Sequence, residues 1–140
     1  MHVIAKPHSL MTIRPECLAN RKGKTRVHAK YINPVNHKSD AVVYNGLVFV
    51  SGMVPNTPSA DVATQSREVL DKIDRILEQA RSHRSKLLSA TIWLANIDDY
   101  KAFNSVWNDW VIKEKQPSRA CSQALLAVPG AVEVAVVAAQ

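Results

Sequence analysis

The chain has 140 residues, 46% of them hydrophobic, and a formal net charge of +6 from 18 Lys and Arg against 12 Asp and Glu. This length and composition predict one soluble globular domain and exclude a collagen-like or mainly disordered chain. No apolar run approaches the ~18 residues that span a bilayer, so no membrane insertion is expected.

The positive charge is concentrated in an N-terminal arm, residues 1–38, which precedes a predicted domain at residues 39–140. The arm holds eight of the Lys and Arg residues but one acid, Glu16, and its densest cluster is RKGKTR at residues 21–26. Such a cluster can contact phosphates, but no aromatic residue interleaves it to stack on bases. A solvated tail, or an upstream start with Met11 as the natural one, is therefore favoured over nucleic-acid binding.

The two cysteines, Cys17 and Cys121, have neither CxxC nor Cys/His spacing. They give no support to a disulfide framework or a zinc site, and a reducing compartment fits them best. The arm also lacks the continuous apolar region of a secretory signal, so we expect a cytoplasmic protein.

A β-hairpin is the first predicted element of the domain. Residues 41–44 (AVVY) and 47–52 (LVFVSG) flank Asn45 and Gly46, and both central positions of a type I′ turn need the positive φ that Asn-Gly tolerates. Two antiparallel strands are therefore expected here.

An amphipathic helix is predicted after a loop at residues 55–60. Asp61 is placed to cap it by accepting hydrogen bonds from free backbone N–H groups of the first turn. The apolar residues that follow recur on one helical face, which contains Val62, Val69, Ile73, Ile76, Leu77 and Ala80.

The second half of the domain predicts a strand at residues 87–95, a helix opened by Asp98 or Asp99, and strands at residues 119–126 and 131–139. The large side chains of this helix step by three and four, which favours a core role over cofactor binding for Tyr100, Phe103, Val106, Trp107 and Trp110. The last two strands are expected to form an antiparallel pair, which gives an α+β domain of order ββαβαββ.

Several predicted strands are apolar on both faces, as in VEVAVVAA at residues 132–139. Sheets with this pattern are covered on both sides. Two helices can cover one face of a five-stranded sheet, so we expect a second subunit to cover the other. The sequence therefore predicts a symmetric homo-oligomer with pockets between its subunits.

No Gly-rich phosphate loop, GxSxG, HExxH or paired-carboxylate motif is present. The histidines lie in the arm or a polar loop without metal-ligand spacing, so no metal is expected at His2, His8, His28, His37 or His83.

Two isolated charges in apolar strands are the candidates for chemistry. Arg119 begins a strand and shares a face with Cys121 and Gln123, and a planar guanidinium there can hold a carboxylate through two hydrogen bonds. Glu133 is the one charged residue at 131–140. A structural ion pair with a cation of the same or a neighbouring subunit is an equal alternative for it.

Four motifs follow one another between about residue 39 and the C-terminus: VSGMVP (50–55), Phe103-Asn104, PSRAC (117–121) and Val132-Glu133-Val134. In this order they resemble the Rid family, the reactive intermediate deaminases also called YjgF-like proteins. The segment ATIWLANIDDYKAFNSVWNDWV is similar to the YoaB-like branch. The resemblance implies a chorismate-mutase-like subunit, with a mixed sheet and two helices on one face, assembled as a homotrimer with clefts between subunits.

The resemblance also implies an activity: hydrolysis of reactive enamines and imines, such as 2-aminoacrylate, to a 2-keto acid and ammonium without a cofactor. Arg119 matches the anchor for the substrate carboxylate, and Glu133 matches the residue that handles the attacking water. Cys121 matches a position whose backbone lines the cleft, and Ser51, Gly52 and Asn104 match cleft or cleft-supporting positions.

Three features depart from the family pattern: Met53, the short loop before Glu133, and the lead-in segment at residues 31–38. Two other functions therefore stay open. The first is a non-catalytic module that binds a 2-keto acid on the same trimeric scaffold, and the second, less favoured, is a ribonuclease or nucleic-acid-binding protein that uses the basic arm.

Overall fold

The structure is a computed structural model that describes residues 28–140. The predictions for the basic cluster at 21–26, Met11, Cys17, His2 and His8 lie outside these residues. The described chain forms eight regular elements in the order βββαβαββ. They are β1 (Lys30–Pro34), β2 (Ser39–Tyr44), β3 (Leu47–Met53), α1 (Val62–Gln79), β4 (Leu87–Leu94), α2 (Tyr100–Trp110), β5 (Ser118–Gln123) and β6 (Val132–Ala139).

The hairpin between β2 and β3 is confirmed. Tyr44 pairs with Leu47, and the two turn residues between them both have positive φ, 50° at Asn45 and 77° at Gly46. These are the backbone conformations that a type I′ turn requires.

The predicted cap of α1 is also confirmed. The Asp61 Oδ1 atom accepts a hydrogen bond from the backbone N–H of Thr64 at 3.0 Å. The start of α2 is also as predicted, but neither Asp98 nor Asp99 caps it with its side chain. Asp99 directly precedes the helix without a side-chain cap, and Asn96 instead accepts from the Asp98 N–H in a short 3₁₀ turn at Ile97–Asp99.

The predicted antiparallel pairing of the last two strands is wrong. The sheet has the order β1-β2-β3-β6-β4-β5, in which β5 runs parallel to β4 and β6 lies between β3 and β4. The helix α2 connects β4 to β5, and a helical crossover returns the chain in the parallel direction. The apolar strand β6 gains neighbours on both sides, whereas the polar strand β5, SRACSQ, takes an edge.

The sheet has six strands where five were expected. β1 pairs antiparallel with β2 at the opposite edge from β5, and it lies in a segment that the sequence analysis assigns to the arm. Its signal is weak because Ile32 is its only buried residue. Pro34, at the end of β1, is tolerated on an edge strand, where a missing N–H leaves no central ladder bond unmade.

The two faces of the sheet differ in burial. Paired positions on the face covered by the helices form a row across all six strands, which is buried at Ile32, Ala41, Val50, Val136 and Ala90 and partly buried at Arg119. The row on the other face runs through Tyr31, Val42, Phe49 and Val137 and stays partly exposed. Both helices therefore cover one face, as expected. No helix of residues 28–140 is long and apolar enough to cross a membrane.

Candidate active site

Arg119 is held in place by residues of the helix that packs beside its strand. Its Nη2 donates a hydrogen bond to the Asn104 Oδ1 atom at 2.8 Å. Its Nε is buried and bonds no atom of residues 28–140. A buried donor without an acceptor lowers the stability of the fold. A bound anion can accept a hydrogen bond from this guanidinium and so remove that cost.

Three aromatic rings surround the same guanidinium. Its Cζ lies 5.0 Å from the ring centroid of Trp107, 5.4 Å from that of Phe103 and 5.8 Å from that of Tyr100. These residues, with Asn104, recur at helical spacing and present one face of α2 to β5. Cation–π attraction at these distances restricts the orientation of the guanidinium. The predicted core role is confirmed for Phe103, Trp107 and Trp110, which are buried, and for Val106, which packs against the core. It is wrong for Tyr100, which is 42% exposed because its ring lies at the open cavity.

An open cavity of about 800 Å³ lies in front of this cation, lined by Ile97, Asp98, Tyr100, Lys101, Arg119 and Cys121. Arg119 and Cys121 reach it together because both lie on the helix-covered face, opposite the buried residues Ala90 and Ile92 of β4. This confirms the predicted shared face of the two residues. The volume is sufficient for a small organic acid with an apolar or polar side chain.

The thiol of Cys121 is partly buried, and burial raises its pKa above the ordinary value, while the nearby Arg119 charge opposes this shift. The group is therefore a neutral thiol at pH 7. A thiolate, not a thiol, is the effective nucleophile, so the side chain is poorly suited to covalent catalysis. This agrees with a reaction in which Cys121 lines the cavity without attacking the substrate.

Glu133 lies against Gly52 at the junction of β3 and β6. A Cβ atom built on Gly52 would lie 2.9 Å from the Glu133 Cδ and closer still to Oε1. The strand pairing is irregular between Val50 and Met53, so Gly52 occupies a β-bulge. Only glycine leaves the space that the carboxylate occupies. The carboxylate itself accepts no hydrogen bond and forms no ion pair with another residue of 28–140.

The Ser51 side chain forms a hydrogen bond with the neighbouring backbone. Its Oγ donates to the carbonyl oxygen of Ser39 at 2.6 Å and ties β3 to the start of β2. The hydroxyl therefore supports the bulge at Gly52 rather than offering a free group for chemistry.

Arg119 and Glu133 point to opposite faces of the sheet. In the register of β4, Ala90 is paired with Arg119, whereas Trp93 is paired with Glu133. Paired residues share a face, and residues three apart in a strand lie on opposite faces. Since Ala90 is buried beneath the helices, Glu133 lies on the other, partly exposed face. One subunit therefore does not bring the two charges to one small molecule.

Residues 28–140 contain no group of three or more His, Cys, Asp or Glu side chains that could hold a metal ion. His28, His37 and His83 are exposed, and His83 caps the short helical turn at Arg84–Lys86 through its Nδ1 atom. None of these three lies in the cavity beside Arg119.

Several residues that shape the Arg119 cavity were not predicted as site residues from the sequence. Ile97, Asp98 and Lys101 line it, and the rings of Tyr100 and Trp107 hold the guanidinium. Their spacing could have predicted this, because Tyr100, Phe103, Asn104 and Trp107, at i, i+3, i+4 and i+7, share one face of α2. That face must pack against another element, and β5 is the next element along the chain.

The profile of the family described as Endoribonuclease L-PSP matches residues 28–140, which covers the whole described domain. The chain belongs to this family, which includes the YjgF/Rid proteins. A RutC family protein of Haemophilus ducreyi is 38% identical over 109 residues, which cover 77% of this chain and 93% of that protein. The RutC family protein YoaB of Escherichia coli is 39% identical over 102 residues, covering 72% of this chain and 89% of YoaB.

Solved structures of this family share the fold. A YjgF-family protein from Neisseria meningitidis superposes with a TM-score of 0.78 at 38% identity, covering 81% of this chain and 95% of that chain. A Rid-family protein, YyfA, from Yersinia pestis gives a TM-score of 0.76 at 26% identity, covering 81% of this chain and 100% of that one. The six-stranded sheet with two helices is thus the family architecture, and the expected resemblance is confirmed.

Proposed function

We propose that this protein is a homo-oligomeric deaminase that hydrolyses 2-imino acids, and the enamines that tautomerise to them, to 2-keto acids and ammonium. The observation that carries this proposal is the Arg119 guanidinium, held by Asn104 and three rings at an open cavity. Such a pre-positioned fork suits a small carboxylate. A substrate carboxylate bound there places its C2 atom within the same cavity.

A second subunit is required to complete the site. Glu133 lies on the other face of the sheet, where Tyr31 and Phe49 remain 62% and 44% exposed. Leu125, in the loop between β5 and β6, is fully exposed. Exposed apolar rows of this kind mark interfaces. We infer that a neighbouring subunit packs on this face and that its Arg119 edge faces Glu133; the trimeric form follows from the family resemblance.

The chemistry follows from positioning. With the imine protonated, water adds to C2, and Glu133 accepts one water proton. Glu133 then passes that proton to the amine nitrogen. The C–N bond breaks as the new hydroxyl becomes a carbonyl, and the hydroxyl proton leaves with ammonia as ammonium. The imine carbon is already electrophilic, so holding the substrate and orienting the water are the main requirements, and no cofactor is needed.

The test uses an amino-acid oxidase to generate 2-iminopropionate, with catalase present, and follows semicarbazone formation in competition with the protein. We expect less semicarbazone in the presence of the protein. Unchanged trapping of the imine at every protein concentration would contradict the proposal. Size-exclusion chromatography with light scattering measures the subunit number on the same sample, and a monomer would contradict the shared site.

A complementation experiment tests the shared site directly. Arg119→Ala and Glu133→Gln are each expected to be inactive, with Glu78→Gln as an exposed control for the Glu change. If the two groups come from different subunits, unfolding, mixing and refolding the two variants restores about one quarter of the activity, since half of the subunits supply each intact residue. No recovery in proven mixed oligomers would place both groups in one subunit.

A non-catalytic 2-keto-acid-binding module is the second candidate, favoured by the completeness of the Arg119 cavity within one chain. Calorimetry with pyruvate and 2-oxobutyrate separates the two. Binding that depends on Arg119, together with no effect on imine trapping, would favour the module.

A further inference from the structure

A second cavity, of about 320 Å³, lies between α1 and the edge of the sheet and shares no lining residue with the Arg119 cavity. Three cations line it: Lys38, Lys72 and Arg75. The one acid that lines it is Asp40. The backbone of the Gly52 bulge forms part of its wall. The cavity is open to solvent, since Lys38 and Arg75 are exposed and Lys72 is partly buried, and it presents an excess of positive charge to a ligand.

Asp40 can offset only one of these cations. Its carboxylate pairs with the Lys38 Nζ at 3.9 Å and accepts a hydrogen bond from the Asn33 Nδ2 at 3.0 Å. Arg75 forms no ion pair or side-chain hydrogen bond with any residue of 28–140. The cavity therefore keeps a formal charge of about +2 when all three cations are protonated.

Lys72 is the most buried of the three cations. Its Nζ donates to the carbonyl oxygen of Val54, and Glu68 of the same helix already accepts hydrogen bonds from two backbone N–H groups and the hydroxyl of Thr57. Burial lowers the pKa of Lys72, and the charge of Lys38 lowers it further, while Glu68 and Asp40 oppose the shift. An anion in the cavity would stabilise the charged form of Lys72.

The remaining polar group of the cavity is also a donor. The Gln79 Oε1 accepts a hydrogen bond from the Asn33 Nδ2 at 3.1 Å, and the exposed Gln79 NH₂ group donates to no atom of residues 28–140. We propose that this cavity is a binding site for a compact dianion with tetrahedral oxygens, namely a phosphate group. Two ammonium groups, a guanidinium and an amide supply donors from several directions, which suits four oxygens better than a planar carboxylate.

The test is calorimetric titration of the full chain with inorganic phosphate at constant ionic strength. We expect binding that weakens about tenfold or more in Lys72→Met and in Arg75→Gln. Arg67→Gln is the matched control because Arg67 lies on the same helix but lines a different groove. Equal weakening in Arg67→Gln would show non-specific attraction and overturn the proposal, as would the absence of binding. Circular dichroism checks folding, and Lys38→Gln replaces any variant that unfolds.

Two further measurements locate the anion and keep this test separate from the proposed deaminase. Arg119→Ala is expected to bind phosphate as the parent does, and loss of binding in it would place the anion in the other cavity. Phosphate should shift the amide resonances of Gly52, Met53 and Lys72, whereas succinate at the same ionic strength should shift them less. Equal or larger shifts with succinate would overturn the choice of a tetrahedral ligand.

Discussion

Around Arg119, the cation, its hydrogen-bond partner and the three rings all come from β5 and α2 of one chain. Around Glu133, the chain supplies a carboxylate and a glycine that makes room for it, but no donor of residues 28–140 bonds that carboxylate. The Arg119 region is therefore formed within one chain, whereas the Glu133 carboxylate has no hydrogen-bond or ion-pair partner among residues 28–140. Under the proposed function, the contrast teaches that substrate binding at Arg119 would use groups of a single chain, whereas proton transfer by Glu133 would also need a neighbouring subunit.

Arg119→Ala is expected to give the largest effect because it removes the anchor on which both candidate functions depend. Imine hydrolysis should fall by about 10²-fold or more, and 2-keto-acid binding should be lost with it. Arg67→Ala is the matched control, since Arg67 lies in a different groove. Retained keto-acid affinity in Arg119→Ala, measured by calorimetry on a protein with unchanged circular dichroism, would remove Arg119 from the site.

Gly52→Ala tests the other region. A Cβ at this position has no room beside the Glu133 carboxylate, which must turn away, so turnover should fall about tenfold while keto-acid binding at Arg119 stays unchanged. The measurement is kcat for imine hydrolysis together with calorimetry.

Gly46→Ala is the control glycine. A Cβ there meets no atom within 4 Å, but φ is +77°, so the change should cost about 1 kcal/mol of unfolding free energy without affecting turnover. If both alanine variants lowered turnover equally, general loosening of the hairpin would explain the effect better than crowding of Glu133.

Asn104→Ala sharpens the description of the Arg119 region. Loss of the 2.8 Å hydrogen bond leaves the guanidinium held only by the rings, so keto-acid affinity should fall about fivefold, which corresponds to about 1 kcal/mol. Asn104→Asp should weaken binding further because a carboxylate there competes with the substrate for Arg119. Stronger binding in Asn104→Asp than in Asn104→Ala would contradict this role.

Cys121→Ala is expected to have the smallest effect at pH 7, because the thiol is neutral there and a neutral thiol is a poor nucleophile. Its raised pKa in the folded state means that the unfolded chain loses the thiol proton first. The thiol contribution to stability should therefore be present at neutral pH and decline as pH rises above the ordinary value of 9.0.

Denaturant unfolding at pH 7 and pH 10 measures this decline, which Cys121→Ala should reduce. A large loss of imine hydrolysis at pH 7 in this variant would show that the thiol takes part in the reaction.

The local elements were predictable from the sequence. Asn45-Gly46 specified the hairpin, and Asp61 with the apolar face beyond it specified α1, because the hydrogen bonds and φ angles involved lie within a few residues. The position of β5 was not predicted, although a strand, a helix and a strand in succession favour a parallel crossover. The strand β1 was missed because one buried residue, Ile32, gives too little periodicity to detect.

For the site, the sequence supplied the residue types, and the family resemblance supplied their roles. The alternation of side chains along a strand correctly predicted that Arg119 and Cys121 share one face. This alternation relates only residues of the same strand. Which face lies beneath the helices, and therefore that Glu133 points away from Arg119, depends on the register across β4 and β6. The aromatic setting of Arg119 and the cationic cavity beside α1 likewise join residues far apart in the chain.

The sequence by itself determined the hairpin, both helices, the α+β class and the two charges that stand out in apolar strands. Only the tertiary structure decided the order of the strands, the separation of Arg119 and Glu133 onto opposite faces, and the clustering of Lys38 with Lys72 and Arg75. The physical reason is that turns, caps and helical periodicity are set by neighbouring residues. Sheet order and cavity lining depend instead on which distant segments bury the most apolar surface together.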